Sequence, residues 1–320
     1  MTAEALRQAA AIVREAESFV VSGHVGPDGD ALGSALAFAH AARAAGKEAV
    51  VAFGGDAAVA DAYGFLDTTP LVDAAEVPAE PEVMVIFDVG IPSRLGTLAE
   101  QAAAAGTLLV VDHHPDPAEG FGDVQVIDTG AGAAAQLCAY LIREAGWEID
   151  EKVGRCLLTG IVTDTGRFQY SSTDGAILRV AADLVDAGVR PEVIGQAVYE
   201  SVPFGYLRVS ALVLGRAVLE PEAGLVWSVL YEQDLENAGI GYEDTDPLID
   251  DLRIAREAGV AVLLKQVEGG FKASLRSRGE VDVGSIAQGE GGGGHHNAAG
   301  FTTGDPVDEV IARVRARLRG

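Results

Sequence analysis

The segment TLLVVDHH, residues 107–114, decides the fold class of this chain and points to its chemistry. It opens as a Val-rich, mostly apolar run, which is typical of a buried β-strand, and it ends in one aspartate and two histidines. Three earlier runs have the same compact character: SFVVSG at residues 18–23, EAVVAF at 48–53 and VMVIFD at 83–88. The sequence therefore predicts four buried strands in its first part.

Ala-rich stretches separate these runs. Residues 31–45 and 98–105 are helical in composition, and Gly46 and Gly106 stand where helices commonly end. Strands that alternate with helices imply right-handed crossovers and a parallel sheet that is covered by helices on both faces. We therefore predict the α/β class for this part, with ligands bound beyond the carboxyl ends of the strands.

The second part of the chain has a different order of elements. Residues 174–218 are mostly helical in pattern, and strands and helices alternate again from about residue 225. The runs VAVLLKQV and FKASLRSR, joined by Glu268-Gly269-Gly270, predict a β-hairpin. We expect two domains, residues 1–203 and 204–320, of which the second is a smaller α/β domain.

Acidic and imidazole side chains stand at the ends of the early apolar runs. They are His24, Asp28 and Asp30 after the first run, Asp88 after the third, Asp112, His113 and His114 after the fourth, and Asp164 at the end of a later apolar run. Each of them alone is more often a helix cap, a turn residue or a structural histidine. Gathered at one edge of a sheet, however, like charges repel unless divalent cations neutralise them.

These residue types fit a two-metal site. Carboxylates and imidazoles without thiolate suit Mn²⁺, Mg²⁺ or similar ions better than a structural zinc ion. Two such ions, roughly 3.5–4 Å apart, can hold the attacking and leaving oxygens of an in-line displacement at phosphorus. The pattern therefore predicts metal-dependent phosphoester chemistry.

The order of these motifs resembles that of the DHH phosphoesterases: His24-x3-Asp28-x-Asp30-x2-Gly33-Ser34, then Asp88, then Asp112-His113-His114, then Asp164. The resemblance implies two ions, usually Mn²⁺, with Asp88 bridging them. It places His24 and Asp28 on one ion, and Asp30, His113 and Asp164 on the other. It makes Asp112 a ligand or an orienting residue, and it brings His114 to the scissile phosphate or the leaving group.

The most unusual stretch of the second domain is GGGGHHNAAG, residues 291–300. Its glycines allow backbone N–H groups to converge on an anion, although a Gly-rich stretch is usually a flexible loop. A basic stretch, LLKQVEGGFKASLRSR, precedes it at residues 263–278. If FKASLRSR is a strand, Lys272, Ser274, Arg276 and Arg278 share one face, and Arg276 or Arg278 could bind a phosphate with two hydrogen bonds.

This combination resembles the DHH-associated C-terminal domain with its Arg-Ser and GGGH motifs. The resemblance implies that substrate binds at Arg276, Ser277, Gly292, Gly293, Gly294 and His295. The nearest resemblance within the superfamily is to the nanoRNase and pAp-phosphatase group. That group degrades RNAs of about two to five nucleotides, dephosphorylates pAp and in some members cleaves pApA or c-di-AMP. His296 departs from the Lys or Arg expected at its position, which puts the preferred ligand length in question.

Charge and cysteine content restrict the partners and the compartment. The net charge of −25 argues against tight binding of long or duplex nucleic acid, which needs a basic face. No apolar run is long enough to span a membrane, so we expect no membrane partner. Two cysteines in apolar stretches, Cys138 and Cys156, suit a reducing cytoplasm. The family resemblance further implies a homodimer.

Two alternative functions remain open at this point. A manganese-dependent inorganic pyrophosphatase shares the DHH metal site. To bind its highly charged inorganic substrate, however, it would need a denser cluster of Lys and Arg side chains than SLRSR followed by GGGGHH provides. A catalytically silent nucleotide-binding regulator on the same fold is the other alternative. Metal-dependent turnover would distinguish an enzyme from such a regulator.

Overall fold

The computed structural model describes residues 3–55, 59–114 and 121–318 of the chain. Backbone contacts divide the chain into two compact units, Met1–Glu200 and Ser201–Gly320. The division lies three residues before the boundary expected from the sequence. None of the described helices is long and apolar enough to cross a membrane.

The first unit alternates strands and helices through its first two thirds and ends in helices. Its elements are α1 (Ala3–Glu15), β1 (Ser18–Ser22), α2 (Gly29–Ala44), β2 (Glu48–Val51), β3 (Val83–Phe87), α3 (Ala99–Ala104), β4 (Thr107–Asp112), β5 (Val124–Ile127), α4 (Ala134–Glu144), α5 (Glu151–Asp164), α6 (Gly175–Asp186) and α7 (Pro191–Tyr199). Pro191 occupies the first turn of α7, where its missing N–H costs no hydrogen bond.

Five strands of this unit form an all-parallel sheet in the order β2-β1-β3-β4-β5. Alternate side chains of the strands enter two separate hydrophobic cores. Val21 and Val85 pack with α1, α2, α4 and α5 on one face, whereas Val20 and Met84 pack with Leu95 and the α3 side on the other. The α/β class with helices on both faces is therefore confirmed.

Glycines bring α2 and α5 into close contact. A Cβ on Gly33 would collide with the backbone carbonyl of Cys156 in α5, and a Cβ on Gly29 would collide with Thr163. These two glycines lie four residues apart on one face of α2, so the helices can approach until their backbones nearly touch. This approach brings the amino end of α2 and the carboxyl end of α5 to the same edge of the sheet.

The second unit has a mixed sheet with helices on both faces. Its elements are α8 (Phe204–Gly215), β6 (Val218–Glu220), β7 (Leu225–Leu230), α9 (Glu232–Ala238), α10 (Leu248–Arg253), β8 (Val260–Val267), β9 (Gly270–Ser277), α11 (Val283–Gln288), β10 (Gly293–His295), β11 (Ala298–Thr303) and α12 (Val307–Leu318). The strand order is β10-β11-β9-β8-β7-β6, and only β7 and β8 pair in parallel.

The faces of this second sheet are covered to different extents. Helices α11 and α12 pack on the face that carries Val262, Leu275 and Phe301. On the opposite face, α8 and α10 pack over β7 and β8, around Leu263. Lys272 and the other outward residues of β9 on this face stay at least partly exposed. The sheet therefore offers an open area at β9 and β11.

The four strands predicted in the first unit and the predicted hairpin of β8 and β9 are all present. Strand β5 was missed because it is only four residues long, VQVI, and contains a polar residue. Gly46 ends α2 with a positive φ of 83°, as expected, but Gly106 has no such conformation. Its N–H instead binds the carbonyl of Pro81, so this glycine belongs to a turn that leads into β4.

Candidate metal centre and glycine-rich loop

Three groups of potential metal ligands converge beyond the carboxyl ends of β1, β3 and β4. Within each group the ligand atoms lie within 4.8 Å of one another. The groups are His24 with Asp28 and Asp88, Asp30 with His113 and Asp164, and Asp88 with His113 and His114. The structure thus brings together every acidic and imidazole residue singled out at the ends of the apolar runs except Asp112. They meet at the carboxyl ends of the neighbouring strands β1 and β3. At this point the strand order changes direction, with β2 on one side and β4 and β5 on the other.

Asp88 occupies the centre of these groups. Its Oδ2 lies 3.5 Å from Nε2 of His24, and its Oδ1 lies 3.4 Å from Nε2 of His113 and from Nδ1 of His114. Asp88 is buried and has a φ of 60°, a left-handed conformation that few residues other than glycine adopt. Such strain is typical of functional positions, where the surroundings enforce it.

Backbone carbonyls orient the two histidines that face these carboxylates. Nδ1 of His24 lies 3.0 Å from the carbonyl oxygen of Val25, and Nδ1 of His113 lies 3.1 Å from that of Ala131. In the tautomer that fits these contacts, Nδ1–H donates and Nε2 keeps its lone pair. This is the usual arrangement of metal-binding histidines. Neither carbonyl carries a signal in the sequence.

Asp30 is held by the amino end of α4. Its Oδ2 accepts a hydrogen bond from the backbone N–H of Ala134 at 2.6 Å, and its Oδ1 accepts one from that of Ala135 at 2.8 Å. Ser34 donates a third hydrogen bond, at 3.3 Å. A Cβ on Gly160 would lie 2.7 Å from Oδ1 of Asp30, so glycine is required there. Sequence reasoning missed the helix cap because alanines 134 and 135 contribute only backbone.

Asp28 and Asp112 also bind backbone N–H groups. Oδ1 of Asp28 caps α2 by accepting from Asp30 and Ala31, while its Oδ2 lies 3.7 Å from Nε2 of His24. Oδ1 of Asp112 accepts from the backbone N–H of His113 and lies 2.8 Å from Nδ1 of His114. Asp112 thus contacts His114 and lies outside the three groups of potential ligands.

The acidity of these side chains reflects their crowding. Burial lowers the pKa of the His24 imidazole, but Asp28 and Asp88 outweigh it and raise that pKa to about 10. Asp88 acts in the same way on His113, whose pKa is also raised. Burial and then neighbouring charges raise the pKa of Asp30, and they raise that of Asp164 to about 8. Burial would raise the pKa of Asp88 too, but the imidazoles hold it below its usual value.

The donor set fits divalent cations. Among the described residues, Oδ1 of Asp88 and Oδ2 of Asp112 are buried carboxylate oxygens that accept no hydrogen bond. A buried oxygen without a donor is costly unless a cation compensates it. Oxygen and imidazole donors together suit Mn²⁺, Mg²⁺ and related ions. The same residues without a cation must retain protons, as the raised pKa values of His24 and Asp164 show.

In the second unit, the glycine-rich stretch forms the strand β10 and its turn into β11. A Cβ on Gly292 would collide with the carbonyl of Gly300, and one on Gly294 would lie 2.5 Å from the carbonyl of Ala298. Gly294 also has a φ of 140°. The structure places nothing within 4 Å of a Cβ on Gly293. The predicted role of the His295 side chain lies outside the described part of the chain.

The basic residues next to this hairpin are placed differently from one another. Arg276 lies on the open face of β9, paired in register with Ala298, and its Nε is 3.9 Å from Oδ1 of Asp250. Ser277 is on the opposite, buried face, where its hydroxyl accepts from Asn297. Arg278 lies beyond the end of β9, and its guanidinium binds the carbonyls of Ala255 and Ala258. Of the two candidate arginines, only Arg276 therefore shares the face with Lys272.

His296, which departs from the expected Lys or Arg, lies in the turn between β10 and β11. Its side chain is exposed, and its Nδ1 is 4.0 Å from Oδ1 of Asp282. Its backbone carbonyl accepts from the N–H of Val283, the first residue of α11. The turn is thus fixed by a backbone contact, and the imidazole lies at the surface.

Both units match known families. Residues 18–161 match the DHH family, N-terminal domain, and residues 228–320 match the DHHA1 domain. The bifunctional oligoribonuclease and PAP phosphatase NrnA of Thermus thermophilus is 34% identical over 99% of this chain and 94% of its own length. The cyclic-di-AMP phosphodiesterase GdpP of Bacillus subtilis is 25% identical over 95% of this chain, which spans 48% of that longer protein.

A solved structure shows the same arrangement of secondary structure. An exopolyphosphatase-related protein from Bacteroides fragilis superposes with a TM-score of 0.91 over 99% of this chain and 96% of its own, at 22% sequence identity. That likeness establishes the fold, while the sequence identity to the Thermus protein establishes the family. The chain belongs to the DHH family of phosphoester hydrolases and carries a DHHA1 domain as its second unit.

Proposed function

We propose that this protein is a metal-dependent phosphoesterase that hydrolyses short oligoribonucleotides and related dinucleotides and removes the 3′-phosphate of pAp. The observation that carries the proposal is the pair of ligand groups that share the edge of one parallel sheet, with Asp88 between them. The similarity to an oligoribonuclease and PAP phosphatase along nearly the whole chain supports the substrate class, and the similarity to GdpP extends it to c-di-AMP.

The geometry supports a specific division of the ligands. We propose that His24, Asp28 and Asp88 hold one ion, and that Asp30, His113 and Asp164 hold the other together with Asp88. The two oxygens of Asp88 face different imidazoles, as a bridging carboxylate requires. When bound, two Mn²⁺ ions would neutralise charge that develops on the phosphoryl oxygens and lower the pKa of an attacking water.

His114 has the position of a residue that meets the substrate. Its Nδ1 is 2.8 Å from the Asp112 carboxylate, which fixes the ring. Its side chain keeps 17% of its surface exposed, against 7% for His24 and His113. We propose that His114 donates a hydrogen bond or a proton to the scissile phosphate or the leaving oxygen.

In the second unit, we propose that Arg276 and the β10 backbone bind a phosphate of the substrate. Arg276 has the guanidinium needed for two parallel hydrogen bonds, and Gly292, Gly293 and Gly294 keep their backbone free of side chains. His295 remains a proposed contact from its position in the motif. Ser277 supports this site indirectly, because its hydroxyl holds Asn297 in the adjoining turn.

The proposed partners and location follow from charge and thiol chemistry. A chain of net charge −25 lacks the long basic track that extended nucleic acid needs, which favours short substrates. Both cysteines are free and buried, as is common in a reducing compartment, so we propose a cytoplasmic enzyme. The homodimer is proposed on family resemblance.

Product release from a matched panel of substrates tests the proposed function. With Mn²⁺, we expect fast turnover of pApA or pAp, measurable turnover of c-di-AMP, and little release from inorganic pyrophosphate or a long single-stranded RNA. Preferential hydrolysis of pyrophosphate would instead identify the inorganic pyrophosphatase alternative. Binding of pAp without metal-dependent turnover of any substrate would identify a nucleotide-binding regulator.

Asp88→Ala tests the bridging role. We expect kcat to fall by more than about a hundredfold, because the change removes a ligand from both proposed ions at once. Circular dichroism should show an intact fold, and Asp183→Ala, which removes an exposed carboxylate of α6, should keep full activity. Substantial turnover by Asp88→Ala would show that Asp88 does not bridge the ions.

A further inference from the structure

A second basic cluster lies beside the open area at β9, where Lys272 stands four residues along the strand from Arg276 and Lys265 lies on the neighbouring strand β8. Lys265 and Lys272 are direct partners in the register of the two strands. Nζ of Lys265 lies 5.1 Å from the centre of the Tyr242 ring, and Nζ of Lys272 lies 5.9 Å from it. Two ammonium groups thus share one aromatic ring, an attraction that helps to hold both in place.

Lys265 is unusual because its charge is buried. Its side chain is only 2% exposed, and it donates a 2.7 Å hydrogen bond to Asp246, whose own side chain is 80% exposed. Burial lowers the pKa of Lys265, and the neighbouring charges of Lys272 and Arg276 lower it further, although Asp246 opposes them. A buried lysine beside two further cations is costly for stability, and such a cost is commonly retained for binding.

Lys272 is the accessible member of the cluster. Its side chain is exposed, and within the described ranges its ammonium makes no ion pair with a carboxylate. The hydroxyl of Tyr242 is buried and has no hydrogen-bond partner among those residues. Lys265, Lys272 and Arg276 thus bring three cations together beside the carboxylates of Asp246 and Asp250, in a chain of net charge −25.

The spacing along β9 sets what the cluster can reach. Lys272 and Arg276 lie on the same face and about 13 Å apart at Cα, at 3.3 Å per residue. This separation exceeds that of the two phosphates within a single nucleotide. With both side chains extended from the sheet, an anion at Lys272 and a phosphate at Arg276 therefore belong to different nucleotides of the same strand.

We propose that Lys272, with Lys265 and Tyr242 beneath it, binds a backbone phosphate of the RNA substrate beyond the phosphate at Arg276. This subsite rests on the proposed function and adds a preference for length, because pAp has no phosphate that reaches it. Lys265 supplies a fixed positive charge from within the sheet, and Tyr242 positions the Lys272 ammonium. The flexible Lys272 side chain makes the contact itself.

Kinetics on a ladder of substrates test the subsite. For Lys272→Ala we expect kcat/KM to fall about tenfold for 5′-phosphorylated RNA trimers and pentamers, the loss of one charge-assisted contact, and to stay within about twofold for pAp. Lys272→Arg should restore most of the loss because it restores the charge. Arg256→Ala, which removes a 92% exposed cation of the same unit, is the matched control and should change neither substrate class.

A binding measurement separates this inference from the proposed function. Fluorescence anisotropy with a labelled 5′-phosphorylated trimer in EDTA should show weaker binding to Lys272→Ala than to the parent chain, whether or not the protein hydrolyses RNA. Equal binding by the two proteins, no binding by either, or an equal loss of kcat/KM for pAp and the pentamer would each overturn the subsite. Lys272-dependent binding without any turnover would retain the subsite and reject the hydrolase.

Discussion

The proposed metal binding of this protein depends on single atoms of His24 and His113. Each ring has its Nδ1 beside a backbone carbonyl and its Nε2 directed at buried carboxylates. The carboxylates raise the pKa of both imidazoles above neutrality, that of His24 to about 10, so both hold a second proton when no cation is bound. A metal ligand must give up that proton.

Metal binding should therefore release protons. The raised groups, including Asp164 with a pKa of about 8, are protonated at neutral pH in the metal-free chain, and coordination displaces those protons. The affinity for Mn²⁺ should fall as the pH falls, by about tenfold per pH unit for each proton displaced. Calorimetric titrations in two buffers with different ionisation enthalpies measure the number of protons directly.

The control for this experiment is His40→Gln, because His40 is a buried histidine of α2 whose pKa is lowered rather than raised. We expect the same proton release from this variant as from the parent chain. A heat of binding that does not depend on the buffer would show that the imidazoles bind metal without losing protons, against the raised pKa values.

The convergence of most proposed ligands was predictable from sequence because an aspartate or histidine directly after a buried strand lies at the carboxyl edge of the sheet. Asp88 and His113 are examples. The orienting groups were not predictable, because the carbonyl of Ala131 and the N–H groups of alanines 134 and 135 belong to backbone that any residue provides. Sequence order also gave no way to separate Asp112, which binds His114, from the ligand groups.

At the scale of elements, the hairpin of β10 and β11 shows that the glycines of one motif have different tasks. Gly294 is required by the fold, since its φ of 140° and the nearby carbonyl of Ala298 leave no room for a Cβ. A Cβ on Gly293, in contrast, would meet open space. If the β10 backbone binds phosphate, the absence of a side chain at Gly293 serves ligand binding and is not required by the fold.

Two alanine substitutions distinguish these tasks. Gly294→Ala should lower the free energy of unfolding by about 1–3 kcal/mol, because it forces a strained φ and a collision. Gly293→Ala should leave stability nearly unchanged but raise KM for pAp severalfold, because its methyl group obstructs the approach of the phosphate. Chemical denaturation and steady-state kinetics measure the two effects. Equal stability of both variants would contradict the structural requirement at Gly294.

The elements that sequence reasoning found are those with strong local signals. Continuous apolar runs form strands β1, β3 and β4. Strand β5, in contrast, is short and joins the sheet through its pairing with β4. Period-two alternation correctly placed Lys272 and Arg276 on one face of β9. It could not show that the strand ends at Ser277, and so Arg278 was wrongly included on that face.

At the scale of the whole molecule, each unit encloses hydrophobic cores of its own. All residues of the three ligand groups belong to the first unit. We therefore expect two unfolding transitions in differential scanning calorimetry, of which Mn²⁺ raises only one, by several degrees, through binding to the native state. Asp88→Ala should abolish that shift. A single transition that moves as a whole would show that the units unfold together.

The capping of α4 by Asp30 has a consequence for how the enzyme is supplied with ions. Because backbone N–H groups hold this carboxylate, its position does not depend on a cation. It differs in this respect from the ligands of small metal-binding domains, which unfold when a chelator removes their metal. The metal-free protein would already hold this carboxylate in its final position. Reloading of a depleted protein with divalent cations should then require the displacement of bound protons but no refolding.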